Sequence, residues 1–170
     1  MVHHQPIAVY PGSFDPFHAG HVAIVERAAQ IFSRVVLGIL ENTGKESLFS
    51  PAERLEMISE LYRDNPQIEV RSFSGLLVNF LVEIDATIII RGMRAVSDFE
   101  YEFQMALMNR RLAPQVETVF LTPKEEFTYL SSRLVREVAA LGGDVTGLVP
   151  EPVKHQLEAR FRKATHPPTR

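Results

Sequence analysis

The chain has 170 residues, 45% hydrophobic and 23% charged, with a net charge of −3; this balance suits one domain with a substantial core and excludes a general electrostatic attraction to nucleic acid. Cysteine is absent, which removes disulfides, thiolate metal sites and cysteine nucleophiles together. No apolar stretch reaches the roughly 20 residues of a membrane span, and Met1-Val2-His3-His4-Gln5-Pro6 lacks the basic and apolar regions of a secretory signal, so a cytoplasmic protein without membrane contact is expected.

Strand-like and helix-like segments alternate. Ile7-Ala8-Val9-Tyr10 is a short apolar run, as in a buried strand, and residues 20–32 place Val22, Val25, Ala28, Ala29 and Phe32 on one helical stripe. After Arg34, residues 35–40 are β-branched and apolar, so 34–40 predicts strand 2. Ser50-Pro51-Ala52-Glu53 opens a helix, with Ser50 as N-cap, Pro51 at the first helical position and Glu53 completing a capping box; the helix runs to about Arg63, before Asn65-Pro66. Residues 68–71 alternate as an exposed third strand would. Ser74 precedes a short helix with Leu77, Phe80, Leu81 and Ile84 inward. Residues 87–90 are a fully apolar strand, 98–112 a helix, and 118–121 a fifth strand. Ser131 or Ser132 caps a helix through Leu141 that Gly142-Gly143 ends. A last helix spans 151 to about 161. Five strands separated by helices predict an α/β fold, a parallel sheet covered on both faces. The expected organisation is one domain over residues 1–162, then a disordered tail over 163–170.

Chemistry concentrates at two strand ends. Gly12-Ser13-Phe14-Asp15-Pro16-Phe17-His18-Ala19-Gly20-His21 lies where strand 1 turns into a helix. That is the carboxyl edge of an α/β sheet, where ligands bind, and a helix N-terminus there offers free N–H groups to an anion. Ile90-Arg91-Gly92-Met93-Arg94 follows the most apolar strand; two arginines around a glycine suit a loop that wraps phosphate. If strands 1 and 4 are neighbours where strand order reverses, both sites face one crevice. Asp15 reads as a residue that orients the loop through an Asx-type turn before Pro16.

The spacing His18-x-Gly20-His21 resembles the signature of nucleotidylyltransferases. Together with Tyr10-Pro11-Gly12-Ser13-Phe14-Asp15-Pro16, Arg91-Gly92-Met93-Arg94, Asp98-Phe99-Glu100-Tyr101-Glu102, Tyr129-Leu130-Ser131-Ser132 and Val135-Arg136-Glu137, it is similar to the phosphopantetheine adenylyltransferase family. The matching blocks run in family order from residue 7 to about residue 150. The resemblance implies a Rossmann-like fold and transfer of the adenylyl group of ATP to 4′-phosphopantetheine, without a covalent enzyme intermediate. Dephospho-coenzyme A and pyrophosphate would result, the penultimate step of coenzyme A synthesis.

Carried over residue by residue, the resemblance implies that His21 contacts the ATP phosphates and stabilises the transition state, with His18 in support. Ser13 would touch the incoming phosphate and ATP, beside the Phe14 backbone. Lys45 and Arg91 would meet the acceptor phosphate, and Leu77 would line the pantetheine arm. Gly92, Met93, Arg94 and Glu102 would meet the nucleotide, as would the segment Phe127, Thr128, Tyr129, Leu130, Ser131, Ser132 and Arg133. Arg133 stands where many relatives have a serine, so a contact there survives if the backbone N–H makes it and is lost if a hydroxyl does. The resemblance further implies Mg2+ arriving with ATP, a homohexamer, and feedback inhibition by coenzyme A. His3-His4 offers at most a weak metal site, and no protein metal cage is expected. Two alternatives remain open: an adenylyl- or cytidylyltransferase with another acceptor such as nicotinamide mononucleotide, and a catalytically silent nucleotide sensor on the same fold.

Overall fold

A computed structural model describes residues 6–41 and 46–165, the side chains of 96, 97 and 163–165 excepted. The elements follow in order β1 (Ala8–Gly12), α1 (Ala19–Ile31), β2 (Val35–Leu40), α2 (Pro51–Leu61), β3 (Ile68–Phe73), α3 (Leu77–Glu83), β4 (Ile88–Gly92), α4 (Val96–Leu112), β5 (Glu117–Leu121), a 3-10 turn (Glu125–Phe127), α5 (Ser132–Ala140) and α6 (Glu151–Thr165). The predicted elements are present with ends shifted by at most four residues. Ser50 caps α2 in a full capping box with Glu53, and Ser131 caps α5 by accepting from the Leu134 N–H. Ser74 precedes α3 across a turn at Gly75, φ 78°, and the N-cap of α3 is Leu76. Helix α6 reaches Thr165, three residues into the segment read as a tail; 166–170 and His3-His4 lie outside the described residues.

All strand pairs are parallel, and the sheet order is β3-β2-β1-β4-β5. The chain winds outward from β1 to β3, then crosses back to place β4 beside β1. Strand order reverses there, as the crevice expectation required.

Alternation along each strand divides the core. Ala8, Tyr10, Leu37, Ile39 and Ile90 face one layer with Ile24, Val25 and Ala28 of α1, Met57 and Ile58 of α2, Val135 of α5 and Leu157 of α6. Val9, Val36 and Ile89 face the other, with Val78, Phe80 and Leu81 of α3. Each of the valine, leucine, isoleucine, phenylalanine and methionine side chains among these, once buried, contributes about 1.5–3 kcal/mol of transfer free energy, enough to pin register, because a one-residue slip would exchange the two faces. Helix α4 differs. Phe99, Tyr101, Phe103, Met105, Leu107, Met108 and Leu112 are all exposed on it. Among the described residues, no helix is long and apolar enough to cross a membrane.

Candidate active site

The β1–α1 turn and the end of β4 open onto one polar cavity of about 380 Å³, lined among others by Ser13, Phe14, His18, His21, Arg91, Gly92, Arg94, Phe127, Ser131 and Ser132. A second cavity of about 420 Å³ adjoins it, lined mainly by apolar side chains such as Leu40, Phe73, Leu77, Met105 and Leu112. Pro11, Gly12, Ser13 and Arg91 border both. The site is thus a polar chamber and an apolar one meeting at Ser13 and Arg91.

His18 is the N-cap of α1, and its backbone N–H donates to His21 Nδ1 at 3.1 Å. A ring nitrogen that accepts carries no proton, so in neutral His21 the proton sits on Nε2. The His21 ring is clamped by His18 at 3.6 Å, stacked on Phe17 at 5.2 Å and met edge-on by Phe14 at 5.1 Å. Burial first, then the His18 and Arg94 charges, hold its pKa well below the ordinary histidine value. His18, 4% exposed, is lowered to about 4 by burial and by Arg94. Both rings are therefore neutral near pH 7, and His21 is a fixed Nε2–H donor. Gly20 is small for a reason: a Cβ there would sit 3.0 Å from the His18 ring.

Phe14 has φ 48°, a left-handed conformation that costs a bulky residue about 1–2 kcal/mol. Its ring is 2% exposed and packs edge-on against Tyr10 and Phe17, which holds the turn. Gly12 makes room for that ring, since a Cβ would approach it to 2.7 Å.

Arg91 and Glu102, assigned to different substrates by the resemblance, are paired with each other. Arg91 Nε and Nη2 each donate to a Glu102 carboxylate oxygen at 2.6 Å, and Nη1 donates to the Pro11 carbonyl at 3.3 Å. Burial works to lower the Arg91 pKa, but the Glu102 hydrogen bonds and charge outweigh it and leave it raised. Among the described residues, Glu102 and Pro11 take three of the five guanidinium N–H groups, and one on each Nη remains for a ligand. Glu102 borders the apolar cavity, not the polar one. Arg94 pairs with Asp98 and donates to the Leu130 carbonyl at 3.0 Å.

The remaining expected residues divide. Ser131 and Ser132 reach the polar cavity at the N-terminus of α5, where the Ser132 hydroxyl also donates to the Pro16 carbonyl. Leu130 is core, and Tyr129 is 62% exposed. The Thr128 hydroxyl donates to the Glu125 carbonyl and the Met93 N–H to the Leu121 carbonyl. Arg133 points to solvent, pairs with Glu137 and borders neither cavity. Lys45 lies outside the described residues.

Sequence reading missed the supports. Asp15 is not chiefly an Asx turn: its carboxylate accepts from the Leu48 and Phe49 N–H groups at 2.8 and 2.9 Å and from Arg136 at 2.9 Å. Arg54 is also buried behind Ser13. The signal for it was an arginine on the inward stripe of α2 with Met57 and Ile58.

The cytidylyltransferase-like family model matches residues 9–138. Phosphopantetheine adenylyltransferase of Clostridium tetani is 54% identical over 147 residues, 86% of this chain and 92% of that protein. That of Thioalkalivibrio sulfidiphilus is 53% identical over 157 residues, covering 92% and 99%. The chain belongs to the phosphopantetheine adenylyltransferase family. A solved structure, a bifunctional NMN adenylyltransferase/ADP ribose pyrophosphatase from Francisella tularensis, superposes with TM-score 0.69 at 15% identity; it matches 96% of this chain, which spans only 51% of that protein. That likeness speaks for the nucleotidyltransferase fold alone.

Proposed function

We propose that the chain transfers the adenylyl group of ATP to 4′-phosphopantetheine. The observation that carries this is the junction of the two cavities: Arg91 and Ser13 stand between a polar chamber with His21, Arg94 and a helix N-terminus, and an apolar chamber with Leu77. The first suits a triphosphate and the second a pantetheine arm. An acceptor phosphate at Arg91 and Ser13 would face the α-phosphorus of ATP. Its oxygen forms the new P–O bond as the bond to the β-phosphate oxygen breaks and pyrophosphate leaves. The chain's part is to position both reactants and to donate hydrogen bonds to the charge that develops. His21 does this as a neutral Nε2–H donor, with Arg94 beside it and Lys45 as a further contact to the acceptor.

ATP enters as its magnesium complex, so the ion belongs to the substrate. Among the polar-cavity residues none is a carboxylate, which supports a metal held by phosphate oxygens rather than by the chain. The reaction belongs to coenzyme A synthesis in the cytoplasm, and coenzyme A, which carries the same pantetheine arm, is the expected feedback inhibitor at the apolar cavity. The exposed apolar side chains of α4 support burial against further copies of the chain, and a homohexamer is the proposed assembly; mass measurement in solution tests it.

Incubation with MgATP and 4′-phosphopantetheine tests the activity. Pyrophosphate and dephospho-coenzyme A are expected. Turnover with nicotinamide mononucleotide instead would assign a different acceptor, and ATP binding without turnover would assign a nucleotide sensor.

A further inference from the structure

Arg54 of α2 is 2% exposed and borders neither cavity. Its Nε donates to the Phe49 carbonyl at 3.1 Å and the Ser50 carbonyl at 3.4 Å, and its Nη1 donates to the Ser13 carbonyl and, at 3.4 Å, to that of Leu40. All these acceptors are neutral. The Asp15 and Glu41 carboxylates favour its charge from nearby but burial outweighs them, so the placement is costly, and an apolar side chain would fill the space without that cost. The contact that distinguishes this placement is the one to Ser13.

The Ser13 carbonyl and the Phe14 N–H belong to one peptide unit. In a trans peptide they point in opposite directions. Arg54, which does not line the polar cavity, holds the carbonyl, so the Phe14 N–H is turned away from Arg54, in a segment whose two residues both border that cavity. Among the described residues this N–H has no protein acceptor. The left-handed φ of Phe14 and its buried ring fix the same peptide plane from the other side. A guanidinium on the carbonyl also polarises the amide and makes its N–H a better donor.

We propose that Arg54 is a positioning residue for adenylyl transfer: by holding the Ser13 carbonyl from behind, it aims the Phe14 N–H at the phosphate oxygens in the polar cavity. This rests on the adenylyl-transfer reading above. Arg54 touches no substrate itself and acts through one peptide plane.

The test compares wild type with R54M, which keeps the volume and loses the charge and fork, and R54K, which keeps the charge and one donor. All are assayed at a temperature where thermal melts show each fully folded. R54M should lose about 100-fold in kcat, the size of one lost oxyanion donor, with KM for ATP nearly unchanged, and R54K should recover part of the loss. A merely structural arginine would lower the melting temperature and leave kcat of the folded protein alone; that result overturns the proposal. Should R54M not fold, the wild-type Phe14 amide proton decides by NMR. A downfield shift on adding a non-hydrolysable ATP analogue supports the proposal, and an unmoved resonance overturns it. Wild-type pyrophosphate release runs in parallel: its absence would sink the adenylyl-transfer reading, while normal wild-type turnover with an equally fast R54M sinks the Arg54 role alone.

Discussion

The imidazoles of His18 and His21 lie face to face, 3.6 Å between centroids and 25° between planes. Two such rings cannot both be protonated at that separation, and burial already disfavours the charge on each. The pair therefore acts as a neutral unit in which one residue's backbone sets the other's tautomer.

Acid should unfold the protein through this pair. Unfolded histidine titrates near pH 6.5, whereas His18 in the fold stays neutral down to about 4. Between those values the unfolded chain binds more protons, so stability is full above pH 6.5 and falls as pH drops. His18 alone should account for about 3 kcal/mol of loss by pH 4. Urea melts across that window check it; H18Q should flatten the dependence.

Replacing His21 tests the donor role. H21A should lower kcat by about 100- to 1000-fold while ATP affinity falls much less, because the Nε2–H acts mostly on charge that appears in the transition state. The pH–rate profile of wild type should show no histidine limb between pH 6 and 8. Steady-state kinetics beside ATP titration calorimetry separate these effects, and an unchanged kcat would refute the role.

Arg91 and Glu102 should be strongly coupled. The single changes R91M and E102Q each leave a charged or polar partner without its match, so the double variant should be more stable than the sum of the two predicts. A coupling of about 1.5–3 kcal/mol is expected for a charge-assisted bidentate pair, read from denaturation midpoints at constant slope.

Asp15 should matter through stability. D15A strips the acceptor from two backbone N–H groups and from Arg136, and a loss of roughly 3–5 kcal/mol is expected. D15N, which keeps one acceptor oxygen, should lose less. Thermal melts of the two variants give the comparison.

Much of this architecture was legible in the chain itself. The apolar runs at β1, β2 and β4, the capping box at Ser50 and the glycines after α5 are local signals, since strand period and cap chemistry depend on residues a few positions apart. The spacing of His18, Gly20 and His21 was likewise local, because one helical turn brings them together. What only the tertiary structure decided is long-range. Strand order put β4 beside β1 and so joined Arg91 to Ser13 across 78 positions of chain. The partnership of Arg91 with Glu102, the three-sided grip on Asp15 and the buried cation behind Ser13 depend on which faces of different helices meet the sheet. A residue's neighbours along the chain do not specify those contacts; packing two layers onto one sheet does. The sequence alone thus determined which residues gather at the ends of β1 and β4. Folding determined which groups stay free for a substrate and which are spent on holding the others in place.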